Sequence, residues 1–154
     1  MELESIPHFL ENKTILVTGS TGFLAKIFVE KVLRIQPNVK KFYLLLRASD
    51  SNSAKRRMQS EVIGKDFFRI LREKWGKDFD SFVSEKLIPV VGDVAYENLG
   101  IKESNLRDEM WKDIDVIVNC AATTDFYDRY ACTLYFVLRL PLSYIYIYIP
   151  HGLF

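Results

Sequence analysis

The chain has 154 residues, of which 49% are hydrophobic and 27% are charged, a composition typical of a soluble globular protein and unlike that of a disordered chain. Lys and Arg total 21 against 20 for Asp and Glu, so no overall positive charge predicts a nucleic-acid partner. The 2 cysteines and 2 histidines predict neither a disulfide framework nor a metal site. The acidic N-terminus has the features of neither a signal peptide nor a transit peptide, which favours the cytosol.

The first third of the chain has the pattern of a strand, a helix and a second strand. Residues 13–18, KTILVT, are an apolar run that ends at Gly19 and predicts a strand buried on both faces. A helix is predicted next and ends before Pro37, because apolar residues recur at helical spacing at Leu24, Phe28, Val32 and Ile35. Residues 41–47, KFYLLLR, predict the second strand.

The alternation of helices and strands continues to residue 120. Residues 51–86 are polar with a helical pattern, and residues 87–93, LIPVVGD, predict a third strand. A short helix is predicted over residues 105–111, followed by a fourth strand over residues 114–120, IDVIVNC. Alternating strands and helices predict an α/β fold with a doubly wound parallel sheet.

The last segment, residues 131–154, differs in composition from the rest of the chain. Residues 133–149 are apolar and aromatic, and Arg139 and Pro141 interrupt a run that is marginal for a transmembrane helix. Membrane association therefore stays open. The segment is more typical of an aggregation-prone stretch than of a functional element, which predicts a folded part over residues 1–130 and a tail that is not native to the fold. The alternative is that the tail docks as a surrogate fifth strand.

The turn after the first strand carries the pattern of a phosphate site. Gly19 permits a tight turn from strand to helix, Gly22 lets the backbone approach a pyrophosphate, and Ala25 keeps the helix close to the sheet. The helix N-terminus then offers free N–H groups and its positive dipole end to the phosphates. Two glycines alone are more typical of a structural turn, but their position between a buried strand and an amphipathic helix favours a dinucleotide site.

The end of the second strand indicates which dinucleotide the site would bind. An Asp or Glu at this point would accept the ribose 2′-hydroxyl of NAD, whereas this strand ends in Arg47, whose guanidinium would pair with the 2′-phosphate of NADP. Arg57 could supply a second positive charge. Asp50 is the competing residue, and a merely solvated strand end is the alternative for Arg47. We therefore predict NADPH as the cofactor.

The ends of the third and fourth strands complete the predicted site. Gly92 and Asp93 place a carboxylate where it can meet the adenine edge, and residues 119–124, NCAATT, are small enough for backbone to lie against the nicotinamide ribose. Each segment could be an ordinary turn at a strand end. Together they line one crevice at the carboxyl edge of a parallel sheet.

These segments resemble a known family. TGSTGFLAK, LLLRA, KLIPVVGD and VIVNCAATTDFYDRY are similar to stretches of the plant alcohol-forming fatty acyl-CoA reductases, also called male-sterility-type reductases, of the extended short-chain dehydrogenase/reductase superfamily. Residues 57–86 resemble that family's insertion between the second and third strands. The resemblance covers roughly residues 5–130 and implies the N-terminal part of an NADP-binding Rossmann domain, with the sheet incomplete.

The resemblance implies a reaction, a substrate and a set of contacts. The reaction is NADPH-dependent reduction of a long-chain acyl-CoA to a primary alcohol that feeds waxes, suberin and the pollen wall, in the cytoplasm or on the cytosolic face of the endoplasmic reticulum. The implied contacts are Gly19, Ser20, Thr21, Gly22, Phe23 and Leu24 at the pyrophosphate, Arg47 and Arg57 at the 2′-phosphate, Asp93 and Val94 at adenine, and Asn119, Ala121, Ala122 and Thr123 at the nicotinamide ribose.

The sequence departs from the family at the catalytic residues. The superfamily uses a tyrosine four residues before a lysine, because the lysine lowers the pKa of the phenol that delivers a proton. None of the 8 tyrosines has a lysine at that spacing, so we predict no catalytic residue in this chain and expect a truncated or misread product without activity of its own. Two alternatives stay open: an inactive dinucleotide-binding fragment, and another extended reductase such as a sugar-nucleotide epimerase.

Overall fold

A computed structural model describes residues 5–64, 66–121 and 145–148. The helices are α1 (Ile6–Phe9), α2 (Phe23–Ile35), α3 (Ser51–Arg57), α4 (Arg69–Trp75), α5 (Phe79–Lys86) and α6 (Ser104–Asp113). The strands are β1 (Thr14–Thr18), β2 (Lys41–Leu46), β3 (Leu87–Val91), β4 (Val116–Asn119) and β5 (Ile145–Tyr148). A π-helical turn extends α3, and short 3-10 turns occupy Asp66–Phe68, Gly76–Asp78 and Glu97–Gly100.

The strands form one parallel sheet in the order β3-β2-β1-β4-β5. Every residue of β1 is buried, and alternate side chains enter two separate apolar clusters. Ile15 and Val17 pack with α2 to α5 on one face, while Leu16 packs with Met110 of α6 on the other. Burial on both faces explains why the strands are continuous apolar runs. The predicted doubly wound α/β fold is confirmed.

The register aligns the carboxyl ends of the strands at one edge of the sheet. Thr18 pairs with Asn119, and Leu46 pairs with Val91. The strands are one to three residues shorter than the sequence predicted, so Arg47 and Asp93 lie just past β2 and β3, in the loops at that edge. One helix was not predicted: α1 is a single turn capped by the hydroxyl of Ser5.

β5 pairs in parallel with β4 over residues 145–148, the position of a docked fifth strand. The rest of the predicted tail lies outside the described residues, so the boundary at residue 130 stays a prediction. Among the described residues no helix is both long enough and apolar enough to cross a bilayer.

A variant ending at Tyr130 tests the role of the tail. Because removing β5 would leave the outer edge of β4 unpaired, we expect the full chain to melt at a higher temperature and to elute as the more compact species in size-exclusion chromatography. A shorter variant that is equally stable and more soluble would instead support the interpretation of the tail as aggregation-prone.

A charged cluster lies at the opposite, amino-terminal edge of the sheet. The carboxylate of Asp113 accepts hydrogen bonds from the Lys41 ammonium at 2.7 Å and from the Tyr43 hydroxyl at 3.3 Å. The hydrogen bond from Lys41 is the main reason that the pKa of Asp113 lies below its ordinary value. The same bond raises the pKa of Lys41.

Asp113→Asn should lower the free energy of unfolding at pH 7 by about 0.5–1 kcal/mol, a modest amount because the carboxylate is 35% exposed and screened by solvent. Since the pKa of Asp113 is lower in the folded chain than in the unfolded chain, its contribution is present above the unfolded value and is lost as the pH falls through the folded value. The difference between wild type and variant in urea unfolding should therefore shrink below about pH 4. A difference that stays constant to pH 3, or an equal effect of Asp80→Asn on the exposed face of α5, would contradict this role.

Candidate dinucleotide-binding site

The turn between β1 and α2 is fixed by backbone contacts. Gly19 has a φ of 65°, a conformation that costs other residues energy, and its carbonyl accepts a hydrogen bond from the N–H of Gly22 at 2.9 Å. A Cβ on Gly19 would lie 2.6 Å from the carbonyl carbon of Cys120 and 2.7 Å from the nitrogen of Ala121. The turn therefore sits directly against the end of β4.

The N-terminus of α2 is open to a ligand. Gly22 is the N-cap residue, no side chain caps the first turn, and that turn contains no acidic residue. The uncapped N–H groups and the positive end of the helix dipole are the features that bind phosphate. A Cβ on Gly22 would lie 3.0 Å from the carbonyl oxygen of Gly19, so a side chain there would crowd the turn. The residues present thus fit a pyrophosphate group.

The side chains of the turn have different surroundings. Ser20 is buried and its hydroxyl donates to the carbonyl of Val17 at 3.0 Å, so this side chain closes the turn. Thr21 and Leu24 are half-buried. Phe23 is 58% exposed, and its ring makes an edge-to-face contact with Phe67 at 5.2 Å between centroids.

A cavity of about 810 Å³ opens where β2 and β3 end, a volume within the usual range for ligand pockets. Arg47, which is exposed, and Asp93 both line it. Val94 is half-buried against the apolar cluster beside α6. The lining also includes residues that the sequence pattern did not single out, among them Tyr96, Ile101, Lys102, Glu103 and Leu106.

The loop after β3 is tightly folded. The nitrogen of Asp93 donates to the carbonyl of Leu99 at 2.7 Å, and its carboxylate accepts from the N–H of Ala95 at 2.9 Å. Asn98, Leu99 and Gly100 all have positive φ angles, of 53°, 58° and 61°. This run is unusual, because left-handed backbone costs a residue such as leucine about 1–2 kcal/mol.

The two arginines of the predicted site have different surroundings. Within the described part of the chain no ion pair involves Arg47, and this residue is exposed and lines the cavity. Arg57 instead makes two hydrogen bonds to the Glu61 carboxylate, at 2.7 Å and 2.8 Å, and donates to the carbonyl of Arg47 at 2.6 Å. Asp50, the competing residue, caps α3 by accepting from the N–H of Ser53 at 2.7 Å.

The end of β4 holds the remaining predicted residues. Asn119 is buried, and its carboxamide oxygen accepts from the hydroxyl of Thr18 and from the N–H of Ala121, the latter at 3.2 Å. Burial raises the pKa of the neighbouring Cys120 thiol to about 11, so that thiol is protonated at neutral pH. Ala121 is half-buried. Ala122 and Thr123 lie outside the described residues.

The model of an NAD-binding family described as "Male sterility protein" matches residues 17–135. The chain belongs to this family. It is 59% identical over 133 residues to the alcohol-forming fatty acyl-CoA reductase of Simmondsia chinensis, with 86% of this chain and 27% of that protein aligned. It is 57% identical over 127 residues to fatty acyl-CoA reductase 8 of Arabidopsis thaliana, with 82% of this chain and 26% of that protein aligned. The chain thus spans about a quarter of the length of these relatives, and the resemblance to plant fatty acyl-CoA reductases is confirmed.

Solved structures with similar folds are reductase domains. The reductase domain of a non-ribosomal peptide synthetase from Mycobacterium tuberculosis has a TM-score of 0.69 at 23% identity, covering 90% of this chain and 33% of that domain. The terminal reductase domain of the myxalamid pathway has a TM-score of 0.65 at 22% identity, covering 90% and 34%. At this identity the similarity establishes the fold alone. The NAD-binding family, by contrast, supports a nicotinamide dinucleotide as the cofactor.

Gly19→Ala should destabilise the chain and abolish dinucleotide binding, because the added Cβ meets the backbone of Cys120 and Ala121. Gly76→Ala is a matched control, since Gly76 also has a positive φ, 53°, but no atom lies within 4 Å of an added Cβ. The control therefore measures only the cost of placing an alanine in the left-handed backbone conformation, about 1–2 kcal/mol. Chemical denaturation should show a larger loss for Gly19→Ala. Equal losses for the two variants would mean that the close approach to β4 does not constrain the turn.

Proposed function

We propose that this chain supplies the NADPH-binding half of an alcohol-forming fatty acyl-CoA reductase. When bound, NADPH would supply the hydride that reduces the thioester of a long-chain acyl-CoA. The proposal rests on one observation above the others: Arg47 lies exposed at the end of β2, at the same sheet edge as the open N-terminus of α2. No observation favours the sugar-nucleotide epimerase alternative.

Each part of the dinucleotide would have its own residues along this edge. The backbone of residues 19–24 would hold the pyrophosphate, with Ser20 closing the turn rather than contacting the phosphates. Arg47 would pair with the 2′-phosphate. Asp93 and Val94 would border the adenine, and the backbone from Asn119 to Thr123 would border the nicotinamide ribose. Asn119, the last residue of β4, would contribute by tying β4 to β1, since its carboxamide oxygen already accepts from the Thr18 hydroxyl of β1 and from the N–H of Ala121 just past β4.

The chemical step would need residues that this sequence does not supply. None of its 154 residues forms the pair of a tyrosine with a lysine four positions later that donates the proton in the superfamily. This chain would bind and orient the cofactor, while proton delivery and the acyl site would come from the remainder of a reductase of the length of its relatives. We place that enzyme in the cytoplasm or on the cytosolic face of the endoplasmic reticulum.

Arg47→Ala tests the cofactor assignment. Fluorescence titration should show that wild type binds NADPH more tightly than NADH, and that the variant loses about tenfold or more of its NADPH affinity while NADH binding is unchanged, because only NADPH carries the 2′-phosphate. Lys102→Ala is the control, since it removes another positive charge from the same cavity. Equal affinities of wild type for the two cofactors, or an equal loss in the control, would overturn the assignment of Arg47.

A further inference from the structure

The loop that carries Arg47 is held at both of its ends by α3. At one end the Arg57 guanidinium donates to the carbonyl of Arg47 at 2.6 Å, and at the other the Asp50 carboxylate accepts from the N–H of Ser53. The helix itself is anchored in the core by Ala54 and by Met58, which begins the π-helical turn. The backbone that follows β2 is therefore tied to a rigid element.

Arg57 is itself held in place. Its Nε and one terminal nitrogen bond the two oxygens of Glu61, while its other terminal nitrogen bonds the Arg47 carbonyl, so all three of its nitrogens are engaged. A planar guanidinium makes this double contact in one orientation only, and the point charge of a lysine cannot reproduce it. The charge of Arg57 is also balanced by the carboxylate, whose hydrogen bonds raise the pKa of Arg57.

These contacts give Arg57 a role different from that of a phosphate ligand. We propose that Arg57 and Glu61 are positioning residues for nucleotide selectivity: Glu61 orients Arg57, and Arg57 fixes the backbone of Arg47, the residue that reads the 2′-phosphate. The proposal rests on the proposed function, because it requires that Arg47 bind that group. It separates two arginines that the sequence pattern treats as equivalent.

Glu61→Ala should change the NADPH affinity in opposite directions for the two possible roles of Arg57, phosphate ligand and positioning residue. If Arg57 were a phosphate ligand, removing the carboxylate would free a positive charge and strengthen NADPH binding. If Arg57 positions Arg47, the loss of Glu61 releases Arg57 from the Arg47 carbonyl, and NADPH binding weakens by about fivefold, the net effect of one typical hydrogen bond. NADH binding should be unchanged in both cases, which excludes a general loss of structure.

Arg57→Lys provides the second measurement. This variant keeps the charge but cannot pair with both Glu61 oxygens and reach the Arg47 carbonyl, so it should also weaken NADPH binding about fivefold. Arg34→Lys is the matched control, because Arg34 forms an Arg–Glu pair of the same spacing with Glu30 on α2, at 2.9 Å. In an Arg47→Ala background, Glu61→Ala should have no further effect on NADPH affinity.

The test is to measure the affinity for NADPH and for NADH of four proteins: wild type, Glu61→Ala, Arg57→Lys and Arg34→Lys. Thermal melting verifies that each variant is folded. We expect weaker NADPH binding in Glu61→Ala and Arg57→Lys but not in Arg34→Lys, with NADH binding unchanged in all three variants. Stronger or unchanged NADPH binding in Glu61→Ala, or full retention in Arg57→Lys, would overturn the positioning role while leaving the cofactor assignment intact. A wild type without preference for NADPH would overturn the proposed function itself.

Discussion

The site depends on a contact between two stretches of backbone. Gly19 lies so close to Cys120 and Ala121 that no side chain fits between them. The contact is reinforced by Asn119, whose buried carboxamide links Thr18 to Ala121. Because the turn is held by main chain and not by flexible side chains, the direction in which α2 leaves the sheet is fixed. The N–H groups of its first turn are thereby aimed before any phosphate arrives, which lowers the entropic cost of binding.

The acidic side chains at this edge are also held by contacts within the chain. Asp50 accepts a hydrogen bond from the N–H of Ser53, which is the main reason that the pKa of Asp50 lies below its ordinary value, and Asp93 accepts one from the N–H of Ala95. Glu61 is paired with Arg57. The carboxylates of Asp50, Glu61 and Asp93 are thus engaged in local structure, while Arg47 is exposed and lines the cavity. The exposure of Arg47 at this edge is the ground for the proposed contact with a 2′-phosphate.

Local patterns in the sequence were sufficient to predict β1 to β4 and the helical segments between them, but not α1. The apolar runs at β1 and β4 predicted strands because a parallel sheet buries both faces. Pro89 is tolerated in β3 because β3 is an edge strand, where the missing backbone N–H costs no ladder hydrogen bond. Other features depend on contacts between distant residues and have no local pattern. The Asp113 cluster joins residues 70 or more positions apart, and the left-handed run at Asn98 and Leu99 is held by a hydrogen bond to Asp93. The role of Arg57 was likewise hidden, since the sequence shows its charge but not that Glu61 and the Arg47 carbonyl hold it.

The proposed dinucleotide site consists of the backbone turn after β1 and the ends of β2 and β3. It can be tested by following the backbone amide chemical shifts of the ¹⁵N-labelled chain as NADPH is added. We expect the largest shifts at residues 19–24, with further shifts at Arg47, Asp93 and Val94, and no shift at Gly76, which follows α4. Shifts absent from residues 19–24, or concentrated away from the carboxyl edge of the sheet, would contradict it.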